Sequence, residues 1–234
     1  MSGLLFFLGC DVEATTVLFS GVVLDDPSED GSPVSGATLS TQNRDGDVVG
    51  TATTDSAGAF DVEVGAGASF FLGVAADGYV PTAFSGVAGL EDFESEPGLP
   101  WVATTEWLAE VTAPFTECET RGDVGAVIFG EARADAGLST DPNQWPKFPG
   151  VEVGVIAGDG TTWSGCYLDD AGVSTAGLSS TGETGVFAVF GVPEGAINVT
   201  FTAVRGNGEA GTDVYEYIAP EGGLVPILPA GLAI

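Results

Sequence analysis

At 234 residues, with 44% hydrophobic and 9% aromatic residues, the chain can build the cores of two ordinary domains, and its composition excludes a disordered polymer. Thirty-four Asp and Glu against five Lys and Arg give a formal net charge of −29, which excludes nucleic acid as a partner and leaves no basic cluster for anionic lipid headgroups. The chain has no histidine, so Ser-His-Asp and Cys-His catalytic arrangements are excluded and the usual zinc ligand sets lose their imidazole.

The chain opens with Met1-Ser-Gly-Leu-Leu-Phe-Phe-Leu-Gly9-Cys10, a short apolar run closed by a small residue and a cysteine, followed directly by acidic and threonine-rich sequence. This resembles a bacterial lipoprotein signal. The resemblance implies cleavage before Cys10, a diacylglyceryl group on its sulfur, and a mature protein anchored in the cell envelope and facing the periplasm or the cell exterior. The run is too short to cross a bilayer as a helix. The other reading makes residues 4–8 a buried strand, with Cys10 as a small core hydrophobe.

Val17–Leu24 reads as the first strand after a spacer that ends at residue 16. In Gly31-Ser-Pro-Val-Ser-Gly-Ala37, Pro33 and Gly36 form a turn that launches a strand at Ala37–Leu39. Strands are then predicted at Val48–Thr53, Ala59–Val64, Ser69–Ala75 and Val80–Ala83. Between the first and second of these strands, Thr54-Asp55-Ser-Ala-Gly58-Ala-Phe60 is a tight turn, after which Phe60 and Val62 face the core. The loops Asp25–Gly31 and Arg44–Asp47 offer the oxygen ligands that calcium takes, but neither has EF-hand spacing; they read as solvated turns and no metal site is assigned. Residues 86–100 read as an acidic loop. Thr104 or Thr105 caps a short helix over Glu106–Val111, and Trp101 and Trp107 read as packing residues rather than a sugar platform.

From Gly125 the same grammar returns. Strands are predicted at Gly125–Ala132, Val151–Ile156, Thr162–Leu168, Val186–Phe190, Ile197–Ala203 and Val214–Ile218. Phe148-Pro149-Gly150-Val151 takes the place of the first turn motif, and Thr181-Gly-Glu-Thr-Gly185-Val-Phe187 that of the second. The expected organisation is a signal and spacer over 1–16, a first domain over 17–100, a linker with a short helix over 101–122, and a second domain over 123–234. With Cys10 set aside for lipid, Cys118 and Cys166 form an even pair, expected as a disulfide that stabilises an exported protein by about 4 kcal/mol. Trp145, in a polar loop, and Trp163, in a strand, are the candidate ligand contacts.

With these motifs in view, the chain resembles the carboxypeptidase regulatory-like modules, whose pattern G-x-P-(V/L)-x-G-A, T-(D/N)-x-x-G-x-(F/Y) and G-(L/V)-P-x-G is carried here by Gly31–Leu39, Thr54–Phe60 and Gly191–Gly195. The resemblance implies an all-β chain: two tandem Greek-key β-sandwich domains of the prealbumin-like (transthyretin-like) kind, joined by an acidic loop and one short helix. It carries no catalytic residues, and neither a P-loop nor a dinucleotide fingerprint is present. The expected function is therefore non-catalytic: a lipid-anchored cell-envelope protein with structural, display or protein-interaction roles. The alternative is an envelope or extracellular carbohydrate-binding module, with or without the assistance of calcium. No cofactor is expected; the expected partners are the membrane, through the lipid on Cys10, and a protein or polysaccharide of the cell surface.

Overall fold

The computed structural model describes residues 15–27, 31–96, 98–118, 125–133, 146–204 and 210–227; Cys10 and Trp145 lie outside them. The first half contains β1 (Thr16–Val22), β2 (Thr38–Gln42), β3 (Val48–Thr53), β4 (Ala59–Gly65), β5 (Ser69–Ala75), β6 (Tyr79–Val80), β7 (Thr82–Val87) and β8 (Phe93–Glu94). Strict alternation fixes the faces: Val17 and Phe19 of β1 and Phe60, Val62 and Val64 of β4 point inward, while Leu18, Asp61 and Glu63 point out. One layer has the order β4-β1-β8, and the facing layer β3-β2-β5-β7. Phe19, Leu39, Phe60, Val62, Phe70 and Leu72 fill the space between them.

A short connection follows, β9 (Ala103–Thr104) and α1 (Thr105–Thr112). Thr104 is the N-cap, its hydroxyl oxygen accepting from the Trp107 N–H at 3.0 Å. The second half contains β10 (Ala126–Glu131), β11 (Glu152–Ala157), β12 (Thr162–Ser164), β13 (Cys166–Tyr167), β14 (Val186–Val192), β15 (Gly195–Val204), β16 (Ala210–Ala219) and β17 (Leu224–Ile227). Its layers run β13-β14-β10-β17 and β12-β11-β15-β16, around a core that includes Ile128, Val153, Phe187, Val199 and Phe201. The protein is therefore an all-β chain built as two sandwiches in tandem.

The repeat read from the sequence is a repeat of hydrogen bonds. The Thr54 hydroxyl accepts from the Ala37 N–H at 2.8 Å and donates to the Val34 carbonyl at 2.7 Å. In the second sandwich, the Thr181 hydroxyl accepts from the Val151 N–H at 3.0 Å and donates to the Phe148 carbonyl at 2.9 Å. Both threonines are buried, at 5% and 3% exposure. The surrounding backbone repeats as well: Gly36 and Gly150 donate to the carbonyls of Thr54 and Thr181, and Val23 and Ala132 to those of Gly58 and Gly185. Gly58 and Gly185 sit at φ 73° and 69°, the left-handed region that favours glycine.

The one letter missing from the second copy is replaced through space. Asp55 Oδ1 accepts from the N–H groups of Ala57 and Ala59, closing the turn after Thr54. Gly182 follows Thr181 where Asp55 follows Thr54. A Cβ on Gly182 would lie 2.8 Å from Asp170 Oδ1, and that oxygen accepts from the Glu183 N–H at 2.8 Å. The turn keeps a carboxylate cap by borrowing one from an earlier loop.

Four elements differ from the sequence reading, the first being the strand expected over Val80–Ala83, which splits into β6, paired with β9, and β7, in the sheet with β5. The strand expected over Thr162–Leu168 breaks at Gly165 into β12 and β13, which belong to opposite layers. Tyr167 holds the corner: its hydroxyl accepts from the Val153 N–H at 2.7 Å and donates to the Val153 carbonyl at 3.2 Å, and a Cβ at Gly165 would lie 2.6 Å from that hydroxyl. The acidic loop over 86–100 contains β8, recruited because Phe93 stacks on Phe19 at 4.9 Å. The strand β17, absent from the sequence reading, carries Pro226. Leu224 donates its N–H to the Pro81 carbonyl beside β7, so the nitrogen two residues on points to the same side, where β7 no longer pairs.

Through β17 the two sandwiches share one eight-stranded sheet, since β17 lies parallel to β10 on one side and meets β7 at Leu224 on the other. Leu224 is buried in the first core, and Ala83 of β7 in the second. Replacing Thr54 or Thr181 by Val keeps the shape but strips a buried N–H and a buried carbonyl of their partner. Each change is expected to cost about 1–3 kcal/mol in urea titrations.

Candidate functional site

The linker forms the most heavily built part of the surface between the halves. Trp101, Val102 and Ala103 are almost wholly buried. Trp101 meets Phe84 of the first sandwich edge-on at 6.3 Å and Trp107 of α1 at 5.0 Å; its buried Nε1 has no hydrogen-bond acceptor. Trp107 then meets Phe129 of β10 at 6.1 Å, and Phe115, beyond the helix, meets both Phe129 and Phe190. The expected packing role of Trp101 and Trp107 is what these contacts describe. Phe115 is fully buried in a small third cluster with Leu168, Ala188 and Phe190, on the outer face of the β14-β10 sheet. Cys118 and Cys166 are joined by a disulfide over the same face, as the cysteine count had suggested.

A groove of about 560 Å³ opens where β7 and β17 diverge, lined by Phe71, Phe84, Ser85, Tyr215, Tyr217 and Pro226. Arg44 and Glu216 close its rim across the two sandwiches with an ion pair of 2.7 Å, exposed enough to contribute little stability. Burial pushes the Tyr217 hydroxyl up to about 12, against the opposing pull of its hydrogen bond with the Ser85 side chain on β7. Burial also raises Tyr167 and Tyr215. A second groove, of about 960 Å³, lies on the first sandwich and is lined by Ser20, Val22, Asp61, Glu94 and Glu96 among others, with no Lys or Arg.

The other sequence candidates fall apart from one another. Trp163 lies on β12, partly buried and packed against the second core, while Trp145 is outside the described residues. In the first acidic loop, Asp25 Oδ1 accepts from the Ser32 N–H at 2.7 Å; residues 28–30 lie outside the description. In the second, Asn43 Oδ1 accepts from the N–H groups of Asp45 and Asp47. Among the described residues, no three His, Cys, Asp or Glu side chains converge to hold a metal ion. Among the same residues, no helix is long and apolar enough to cross a membrane. Lys147, the sole lysine, is half exposed and ion-paired with Glu131, which also pairs with Arg133. The cross-sandwich contacts of Arg44 and Tyr217 carry no signal in the linear sequence, because they depend on how β16 lies against the first sandwich.

The chain thus belongs to the broad class of tandem β-sandwich proteins. No protein-family model matches it, and no curated protein does. Solved structures similar to it include the Bacillus anthracis TIE protein, at 14% identity and a TM-score of 0.29, covering 91% of this chain and 34% of that one. The shaft pilin SpaA from Lactobacillus rhamnosus GG is 11% identical with a TM-score of 0.26, over 94% of this chain and 99% of the pilin. BcpA, the major pilin subunit of Bacillus cereus, is 12% identical with a TM-score of 0.29, over 88% and 69%.

Two outcomes follow from the junction. A tyrosine whose folded pKa lies above its unfolded value of 10.0 contributes stability that is complete below pH 10 and is lost as pH rises from 10 towards 12. Absorbance at 295 nm is expected to show Tyr217 ionising last among the three shifted tyrosines, and Tyr217→Phe to flatten the alkaline fall in stability. Reduction of Cys118–Cys166 is expected to cost about 2–4 kcal/mol, read as a lower urea midpoint in dithiothreitol.

Proposed function

We propose that the protein is a non-catalytic, lipid-anchored spacer of the cell envelope, whose two sandwiches hold a protein-interaction surface at a fixed distance and angle from the membrane. The boundaries proposed for the two units are 17–100 and 123–234, with 101–122 as the linker. The observation that carries the reading is the burial of the junction, from which its stiffness is inferred. A tether meant to flex is rich in glycine and serine and exposes its backbone to solvent. Here the connection is buried at Trp101, Val102 and Ala103, clamped by a disulfide at Cys118, and bypassed by a strand that belongs to both halves. The anchor in this reading is the diacylglyceryl group on Cys10, and the net charge of −29 keeps the remainder off anionic lipid.

Mass spectrometry of the mature N-terminus from the native host tests the anchor. A diacylated Cys10 is expected, and an intact Met1 overturns the assignment to the envelope. Small-angle scattering of the soluble part tests the spacer, with one narrow distribution of end-to-end distances expected and a broad one counting against it. The polysaccharide reading has its own signature, retention on envelope polysaccharide that Trp163→Ala abolishes at a temperature where the variant is still folded by circular dichroism.

A further inference from the structure

The internal repeat allows the outer faces of the two equivalent sheets to be compared position by position. Ser20 of β1 pairs with Asp61 of β4 on one side and Glu94 of β8 on the other. Phe129 of β10 stands in the same place, pairing with Ala188 of β14 and Pro226 of β17. In the second sandwich this face is covered: Trp107 and Phe115 of the linker lie on Phe129, Phe115 also lies on Phe190, and the disulfide fastens the cover. In the same sandwich the outermost strand, β17, pairs with β7 of the module before it. It is the surface by which one module receives the segment that precedes it.

In the first sandwich the corresponding face is bare. Leu18 and Val22 are 42% and 36% exposed along its middle strand, flanked by Asp61 and Glu63 on one side and Glu94 on the other. The acidic groove of about 960 Å³ runs over part of it. Where the covered face presents Phe129 and Ala188, the bare one presents Ser20 and Asp61, yet it keeps Val22 where the covered face has Glu131. Leu18 and Val22, set between Asp61 and Glu63 on one strand and Glu94 on the other, match an apolar segment that carries positive charge on both flanks. We infer that this face docks a basic, amphipathic segment of a partner protein, in the position that the linker occupies on the second sandwich. Another copy of the chain is a poor occupant, because two chains of net charge −29 repel. The inference rests on the protein-interaction reading above and is independent of the lipid on Cys10.

The test uses the chain's own cover with its charge inverted: a peptide of residues 103–118 in which Glu106, Glu110 and Glu117 are replaced by Lys and Cys118 by Ser. Titrated by calorimetry into the full chain, it is expected to bind with saturation, and to weaken about tenfold from low to high salt as exposed charge pairs are screened. Asp61→Lys with Glu63→Lys, both at exposed positions, is expected to reduce binding by at least about tenfold while leaving the thermal melt in place. The matched control, Asp77→Lys with Glu221→Lys in exposed turns outside this face, is expected to leave binding nearly unchanged. Absence of saturable binding overturns the inference, and so does an equal loss in both variants, which would mean diffuse attraction to an acidic protein. Equal binding by the unmodified acidic peptide also overturns it, because the occupant would then be a second copy. None of these results bears on the mass of the mature N-terminus, so the two readings fail separately.

Discussion

A buried threonine hydroxyl, used once in each sandwich, is the contact on which the rest of the architecture depends. Thr54 and Thr181 each tie the turn at the start of the second sequence motif to the turn that launches the second strand, satisfying one buried N–H and one buried carbonyl with a single oxygen. Such groups are costly to leave unpaired away from water, so the clasp fixes how the two layers meet at that end. Once it is set, the alternation of β1 and β4, and of β10 and β14, leaves the apolar side chains one direction in which to point. The glycines at 58 and 185 let the chain return beneath the clasp without collision.

The two sandwiches then diverge in what they do with the surface around this shared frame. The second turns the outer face of its β14-β10 sheet into a receptor for the linker, trading polar side chains for Phe129, Ala188 and Phe190. The first leaves the equivalent face open and edges it with carboxylates. The pair is therefore asymmetric, with this face covered on the second sandwich and exposed on the first.

Much of this was legible from local chemistry. The strands at Val48–Thr53 and Ser69–Ala75 form with the predicted limits, the helix is capped by Thr104, and both turn motifs occupy equivalent places. These features were readable because a turn glycine, a cap hydroxyl or an alternating run acts within a few residues of itself. What stayed hidden depends on neighbours far along the chain. Phe93 makes a strand of an acidic loop only because Phe19 is there to stack on, and Pro226 is tolerated in β17 only because β7 diverges from it after Leu224. Gly165 looked like the interior of one strand until Tyr167 required a corner there. The acidic composition, so prominent in the sequence, locates no site by itself, because the carboxylates are spread over turns and outward strand faces.

The placement of Leu224 also orders events in time. That side chain seals the first core, yet it is among the last residues of the described chain to leave the ribosome or to emerge from an export channel. The N-terminal sandwich therefore waits, with part of its interior unsealed, until the second sandwich has been made. Contacts of such long range form slowly, and in a chain that emerges N-terminus first they make the first half dependent on the second. A truncated product would be left with a wet first core, an exposed flaw that quality-control proteases are well suited to recognise.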